Sequence, residues 1–252
     1  MEIDPDVASP ARMYDYYLGG KDNFPADRAA AEKVIAAHPE QHRLVKANRG
    51  FLVRAVRFIA EQGVTQFLDL GTGIPTSPNV HEVAREVNPS ARVVYVDNDP
   101  IVTRHNRALR ATHDGVIGVE ADMREPKAIL AHPKVRATLD FDAPIAVLTL
   151  AVFHFIPEAR EIVDELRGAM APGSFIGLST AATEGLTPAE IKAVEDAYAA
   201  STVPAVFRTR AEIEELFTGF ELAEPGVVPV GRWRGTEPDT RIQILAGVGR
   251  LP

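Results

Sequence analysis

Three strand ends, marked by aspartates and a glycine turn, stand where a ligand could be held. The aspartates are Asp69 in "FLDLGTG", Asp97 in "VVYVDNDP" and Asp122 in "VEADMREP". Asp69 runs at once into Gly71-Thr72-Gly73, a turn whose glycines leave room for a ligand against the main chain. A carboxylate at a strand end can accept two hydrogen bonds from a ribose diol, and Asp97 is read that way. Asp122 can accept from an adenine amino group while Met123 lies along the base. A helix cap or turn acid is the lesser reading of Asp97, and Asp99-Pro100 fits that role well, so the ribose is favoured; Asp122 taken alone reads better as a loop acid. The three strand ends together favour a nucleoside site.

Two ligand classes need such a bared turn: a phosphate-rich dinucleotide, or a nucleoside carrying an amino acid. A dinucleotide fingerprint wants a third glycine or alanine where Thr76 stands, and a helix that starts at once with its N–H groups on the pyrophosphate. Pro75 and Pro78 instead remove donors from that stretch. A fourth strand leads to "AVFHFIP". His154 there could take a proton from an acceptor hydroxyl or amine. A lone histidine between two phenylalanines is more often structural. The remaining histidines (38, 42, 81, 105, 113 and 132) have no metal-ligand spacing joined to carboxylates, so no metal site is expected.

The elements that position these residues can be read from periodicity. Residues 1–62 look helical, and strands alternate with helices from Phe67 onward. Ser9-Pro10 opens a short helix that Gly19-Gly20 ends, and Pro25 allows a second. Leu44, Val45, Leu52, Val56 and Ile59 form the stripe of a third, stopped by Gly63. Gly50 lies inside it, either tolerated or marking a close approach to the backbone. Strands are expected at "QFLDL", "ARVVYVD", "GVIGVEAD", "APIAVLTLAV", "SFIGLST", "GFELAEPGVVPV" and "RIQILAGVG". Between the early strands lie helices, one at Val80–Val87 with Ser77 as cap, then "IVTRHNRALRA" and "PKAILAHP". Three more are expected in "PEAREIVDELRGAM", "TPAEIKAVEDAYAAS" and "RAEIEELF". Alternation of this kind predicts an α/β fold with a parallel sheet covered on both faces. The last two strands have no helix between them, which predicts an antiparallel edge pair.

Composition narrows the function. The 252 residues allow one large domain or a domain with an added lobe. A net charge of −8 disfavours nucleic acid as a partner. Without cysteine there is no disulfide, thiolate metal site or thiol nucleophile. The acidic start lacks the apolar run of a signal peptide, and "IAVLTLAVFHFI" is too short to span a bilayer. A cytoplasmic enzyme with no membrane partner is the expectation.

"LDLGTG", "VVYVDNDP", "VEADMREP", "LAVFHFIP" and "MAPGSFIGLST" together resemble the motifs of class I S-adenosylmethionine-dependent methyltransferases, in order. A narrower likeness covers nearly the whole chain. "RMYDYYLGGKDNFPADR", "ANRGFLVRAVRF", "GTGIPTSPNVHEVAR" and "EPGVVPVGRWR" resemble a bacterial S-adenosyl methyltransferase family first catalogued as a domain of unknown function. The resemblance implies a Rossmann-like, doubly wound, seven-stranded sheet over 63–252, mostly parallel with an antiparallel last strand. It implies a helical cap over 1–62 and S-adenosyl-L-methionine as cofactor. Gly71, Thr72 and Gly73 would then sit beside the cofactor, Asp69 at its amino acid end, Asp97 and Asn98 at the ribose, Asp122 and Met123 at the adenine, and Ala151 after the fourth strand. Tyr14, Tyr17, Lys21, Asn23, Asn48 and Arg49 are expected where the helical cap closes over the site. The acceptor is expected to be a small molecule. A non-catalytic binding protein for the cofactor or its product is the alternative, and an NAD-dependent oxidoreductase is disfavoured by the missing third glycine.

Overall fold

The computed structural model describes residues 4–106, 114–199, 201, 203–238 and 240–252. The helical N-terminal stretch forms α1 (Pro10–Tyr17), α2 (Pro25–Ala37) and α3 (Gln41–Glu61). Proline at the first position starts both α1 and α2, because the missing N–H is one that a helix start leaves unpaired anyway. Gly63 ends the third with φ 90°. Gly50 in α3 does mark a close approach: a Cβ there would lie 2.9 Å from Glu237 Oε1 and 3.0 Å from Arg54 Nη1, the two halves of an ion pair.

The strands follow as β1 (Gln66–Leu70), β2 (Arg92–Asp97), β3 (Val116–Glu120), β4 (Ala146–Leu150) and β5 (Phe175–Ala181). After them come β6 (Glu221–Leu222), β7 (Val228–Pro229) and β8 (Ile244–Arg250). The order in the sheet is β3-β2-β1-β4-β5-β8-β6, with β7 also paired to β8. Strands β1 to β5 run parallel, and β8 is antiparallel to β5, β6 and β7. The sheet has eight strands rather than the expected seven. "GFELAEPGVVPV" does not extend as one strand. A turn through Pro225 and Gly226 (φ 83°) splits it into β6 and β7, both on the same neighbour. Strand order reverses between β1 and β4, and a crevice opens beyond the carboxyl ends of such a pair.

Between the strands lie α4 (Val80–Val87), α5 (Pro100–His105), α6 (Pro126–Ala131), α7 (Pro133–Thr138), α8 (Ala159–Gly168), α9 (Pro188–Tyr198) and α10 (Arg210–Glu215). α4 is capped by Asn79, not Ser77: the Asn79 main-chain and side-chain N–H groups both donate to Glu82, and Ser77 Oγ donates to the same carboxylate. "PKAILAHP" is followed by a second helix, α7, which the sequence reading passed over because Pro133 reads as a stop. It is instead a first-turn proline, with His132 Nδ1 accepting from Lys134 N–H. Of the expected helix "IVTRHNRALRA", residues 107–111 lie outside those described.

Alternate β1 residues serve opposite cores, the period of two that defines a strand. Phe67 packs with Phe51, Val56 and Ile59 of α3, and Leu68 packs with Ile162 and Leu166 of α8. A third cluster is separate. Met13, Tyr17, Ala31 and Val34 of the first two helices pack with Val194 and Tyr198 of α9. Thus α3 belongs mainly to the sheet's core and sends Val45 to the third cluster, in which α1, α2 and α9 pack together.

Candidate active site

Beyond β1, β2, β3 and β4 lies a cavity of ≈ 440 Å³. The structure brings Asp69, Gly71, Thr72, Gly73, Asp97, Asn98, Asp122, Met123, Ala151 and His154 to its walls, with Tyr14, Asn48 and Arg49 from the helices. Tyr17, Lys21 and Asn23 do not reach it. Tyr17 is buried in the third cluster with its hydroxyl 3.4 Å from that of Tyr198. Lys21 is exposed, and Asn23 folds back on the chain, donating to Asp15 Oδ2 at 2.9 Å.

The glycine turn is built on β2. Gly71 N–H donates to Val96 O at 2.9 Å, and Gly71 and Gly73 take φ of 66° and 64°. Left-handed values such as these strain any residue with a Cβ. The two glycines differ in surroundings. A Cβ at Gly71 would stand 2.4 Å from Val152 Cγ2, whereas one at Gly73 would meet nothing within 4 Å. The open face of the turn is therefore Gly73, and Val152 closes the other.

Asp97 is 8% exposed and accepts Gly73 N–H on Oδ2 at 2.8 Å and Asp99 N–H on Oδ1 at 2.9 Å. Burial pushes its carboxyl up to about 6, against the pull of those two N–H groups. A carboxylate offers about four acceptor sites, so each oxygen keeps one for a ligand. Asp69 accepts from Thr72 Oγ1 at 3.0 Å. Asp122 is held by Arg124, whose Nε lies 3.0 Å from both of its oxygens, and that hydrogen bonding holds its carboxyl below the usual range. Arg124 was not singled out by sequence reasoning, although its place two residues after the acid is the spacing of such a clamp.

Arg49 donates to Thr76 O at 2.6 Å and to Pro78 O, tying α3 to the glycine loop. It forms no ion pair among the described residues. A longer relay joins the helices to the end of β4. Tyr14 OH donates to Val45 O at 3.3 Å and accepts from Asn48 Nδ2 at 3.0 Å. Asn48 Oδ1 accepts from Ser179 Oγ at 2.7 Å, and Ser179 Oγ accepts Ala151 N–H at 2.9 Å. Ala151 has φ 54°, a left-handed value that costs a non-glycine residue of order 1–3 kcal/mol. Ser179 therefore helps fix a strained turn at the cavity wall. Nothing in the sequence marked it, since it lies inside a run read only as strand.

His154 follows in a 3-10 turn, Phe153–Phe155. Its Nδ1 lies 3.3 Å from Ala181 N, an N–H that can only donate. Burial, then the Arg208 guanidinium, push the imidazole down to about 3. Arg208 is itself buried and donates to Phe153 O at 2.6 Å and to the carbonyls of Ile156 and Pro157, so it shapes this loop from outside the cavity. Phe155 packs on His154 with centroids 4.3 Å apart and on Tyr198 at 5.2 Å. Phe155 and Tyr198 are cavity residues that sequence reasoning missed.

A switch-point crevice, a glycine turn and carboxylates at three adjacent strand ends define a Rossmann-like nucleoside-binding enzyme of the class I methyltransferase type. The S-adenosyl methyltransferase family profile matches residues 1–252, and the chain belongs to that family. Its cofactor is therefore S-adenosylmethionine, and it is a methyltransferase. A DUF574 family protein from Streptomyces avermitilis MA-4680 is 43% identical, with TM-score 0.94 and 100% of each chain covered. A candidate methyltransferase from Thermobifida fusca YX is also 43% identical, with TM-score 0.91, 98% of this chain and 96% of the other covered. The plantazolicin methyltransferase BpumL, solved with S-adenosylhomocysteine, shares the fold at 13% identity and TM-score 0.52, with 96% and 95% covered. Comparison with curated proteins found no match. Among the described residues no helix is long and apolar enough to cross a membrane, and no group of three or more His, Cys, Asp or Glu could hold a metal ion.

Proposed function

We propose that this methyltransferase acts on a small-molecule acceptor, held in the cavity between the sheet's carboxyl edge and the helices of residues 1–62. The observation that carries this reading is the convergence of Asp69, Gly73, Asp97 and Asp122 on one cavity that Tyr14, Phe155 and Tyr198 also line. The residues suit the cofactor. Gly73 offers bare backbone to open space, Asp97 keeps acceptor capacity for a ribose diol, and Asn98 and Met123 flank the adenine side with Asp122. Arg49, with no carboxylate partner among the described residues, suits a free carboxylate, and Asp69 with Thr72 suits the adjacent ammonium.

S-adenosylmethionine supplies a methyl group already activated on a sulfonium, so the protein's task is alignment and exclusion of water. Residues 1–62 serve as the cap over the domain of 63–252, α1 and α2 outermost and α3 anchored in the core. Nucleic acid is a poor partner for a chain of net charge −8, because its affinity for proteins rests on cations. The setting is cytoplasmic, where such a cofactor is made and regenerated.

Calorimetric titration with S-adenosylmethionine, S-adenosylhomocysteine and NAD tests the assignment of the cavity. The first two are expected to bind one per chain and to lose affinity in Asp97→Ala. Affinity unchanged by that substitution would move the cofactor elsewhere.

A further inference from the structure

Part of the cavity lining is an aromatic row, His154, Phe155 and Tyr198, and Tyr14 of α1 also lines it. His154 is the one histidine among the cavity's described residues, and no lysine, glutamate or cysteine joins it. Its Nδ1 lone pair takes the Ala181 N–H, so the proton of the neutral ring sits on Nε2. Nε2 has no protein partner among the described residues, and on a cavity-lining ring it is left as a hydrogen-bond donor. The two tyrosines are no better as bases. Burial raises the Tyr14 phenol and pushes that of Tyr198 up to about 12, so both stay protonated.

On the cofactor assignment above, Asp97, Asp69 and Asp122 are occupied by the ribose diol, the ammonium and the adenine, and the other cavity carboxylates are held by donors. Asp99 accepts from Ser9 Oγ at 2.7 Å and Ile101 N–H at 2.8 Å, and Asp15 accepts from Asp22 N–H at 2.9 Å. Asp4 accepts Asp6 N–H at 2.9 Å, and Asp69, Asp97 and Asp122 have the partners given above.

Resting on the cofactor assignment just made, we propose that none of the cavity's described residues accepts a proton at the methyl group, and that the substrate is a flat, neutral nitrogen heterocycle whose ring lone pair is the nucleophile. His154 then acts through Nε2–H as a donor that orients the heterocycle's second polar atom, against the faces of Phe155 and Tyr198. The electron balance closes without a base. The ring lone pair forms the new N–C bond, the C–S bond breaks with its pair passing to sulfur, and no proton moves. Positive charge passes from sulfur to the ring nitrogen. The cavity suits both ends of that transfer, since its acidic and basic side chains of fixed sign are six aspartates against three arginines. A phenol or alcohol would have to lose a proton that nothing in this lining is placed to take.

The test has two arms on the full chain. The first is two-bond ¹⁵N–¹H spectroscopy of the imidazoles, with His154→Gln to assign the signal. The expected result is a neutral ring with its proton on Nε2 and no titration from about pH 8 to about pH 5, against an ordinary histidine pKa of about 6.5. A His154 that protonates near neutrality, or carries its proton on Nδ1, overturns the proposal. The second arm measures S-adenosylhomocysteine released with ring-nitrogen heterocycles and with phenols of matched size. Heterocycles are expected to be the substrates. Gln retains both an acceptor for Ala181 and a donor, so His154→Gln should keep the heterocycle's KM within about threefold, while His154→Ala raises it about tenfold, the scale of one hydrogen bond. Phenol turnover that is lost equally in both variants would establish a base and overturn the proposal. If S-adenosylmethionine still binds in that case, only the acceptor inference falls. If it does not bind to the wild-type protein, the cofactor assignment falls first.

Discussion

The two halves of the molecule treat their polar side chains in opposite ways. On the sheet side, buried acids end strands and keep part of their hydrogen-bonding capacity facing a cavity, as Asp97 does with one N–H on each oxygen. In the first two helices, the buried pair Asp27 and Arg12 instead uses its hydrogen-bonding capacity inside the fold. Asp27 is fully buried and accepts from Ser9 N–H at 2.8 Å, Phe24 N–H at 2.7 Å and Arg12 Nε at 2.9 Å. Arg12 in turn donates to the carbonyls of Val7 and Asp4. Such a group is spoken for and fixes the path of the chain. The contrast separates residues that serve a ligand from residues that serve the fold, though both are buried and charged.

Asp27→Ala tests that contrast with the largest expected effect. Removing one partner of a buried pair strands the other charge, at a cost of about 3–5 kcal/mol. Denaturant unfolding should show a loss of that order, with Arg12 and two main-chain N–H groups left unpaired. Affinity for S-adenosylmethionine, measured well below the unfolding midpoint, should change much less than stability. A loss of affinity as large as the loss of stability would erase the distinction between the halves.

That distinction also sets what was legible in the sequence. Strand ends can be read from period-two apolar runs, and a chain of alternating strands and helices must bring those ends to one edge. Asp97, Asp122 and the glycine turn were therefore brought to one edge by pattern, while Asp69 entered through the family resemblance. The split of β6 from β7 was not read, although the Pro225-Gly226 pair between them is itself a turn signal. In the cap, Tyr14 and Tyr17 lie three residues apart on one short helix, yet one lines the cavity and the other is buried against Tyr198. Helical spacing says they are neighbours and not which of them meets a ligand; α2, α3 and α9 decide that. Ser179 and Arg208 were invisible for a related reason: each acts on the turns around Ala151 and His154 from a distance of many residues in sequence.

Asp97 sharpens the comparison from the ligand's side. Its carboxyl is raised by burial to about 6, so the folded protein binds a proton more readily there than the unfolded chain does. Between the unfolded carboxyl value of about 3.9 and about 6, stability of the ligand-free protein should therefore fall as pH rises, and the penalty is complete above about 6. The ribose diol needs an acceptor, so cofactor affinity should move the other way, weakening as pH drops through about 6. Asp97→Asn should flatten both dependences. At neutral pH it should weaken binding by about 1–3 kcal/mol, the cost of stranding hydrogen-bond partners, and it should cost the ligand-free protein stability at every pH, because the Asn NH2 faces either Gly73 N–H or Asp99 N–H, donor against donor. Calorimetry across pH and thermal melts of the same two proteins would show it. A pH-independent wild type would place Asp97 with the cap residues, as a group whose partners are all internal.

Tyr17→Phe carries the smallest expected effect and puts the cap half of the comparison under the most exact test. The ring is 1% exposed and packs with Met13, Val34 and Val45, contacts that phenylalanine keeps. Only the hydroxyl is lost, and its partner Tyr198 OH is 3.4 Å away, at the long limit of a hydrogen bond. The expected loss of stability is about 0.5–1 kcal/mol, the net worth of a single neutral bond. Tyr198 touches the cavity and Tyr17 does not, so the variant asks whether the second layer of the cap is felt by the ligand. Cofactor affinity should stay within a factor of about two, because a side chain without ligand contact acts only through its neighbour's position. A tenfold change in affinity with stability intact would mean that the Tyr17–Tyr198 contact sets the cavity's shape, and the boundary between folding residues and binding residues would then run through the third cluster and not at its edge.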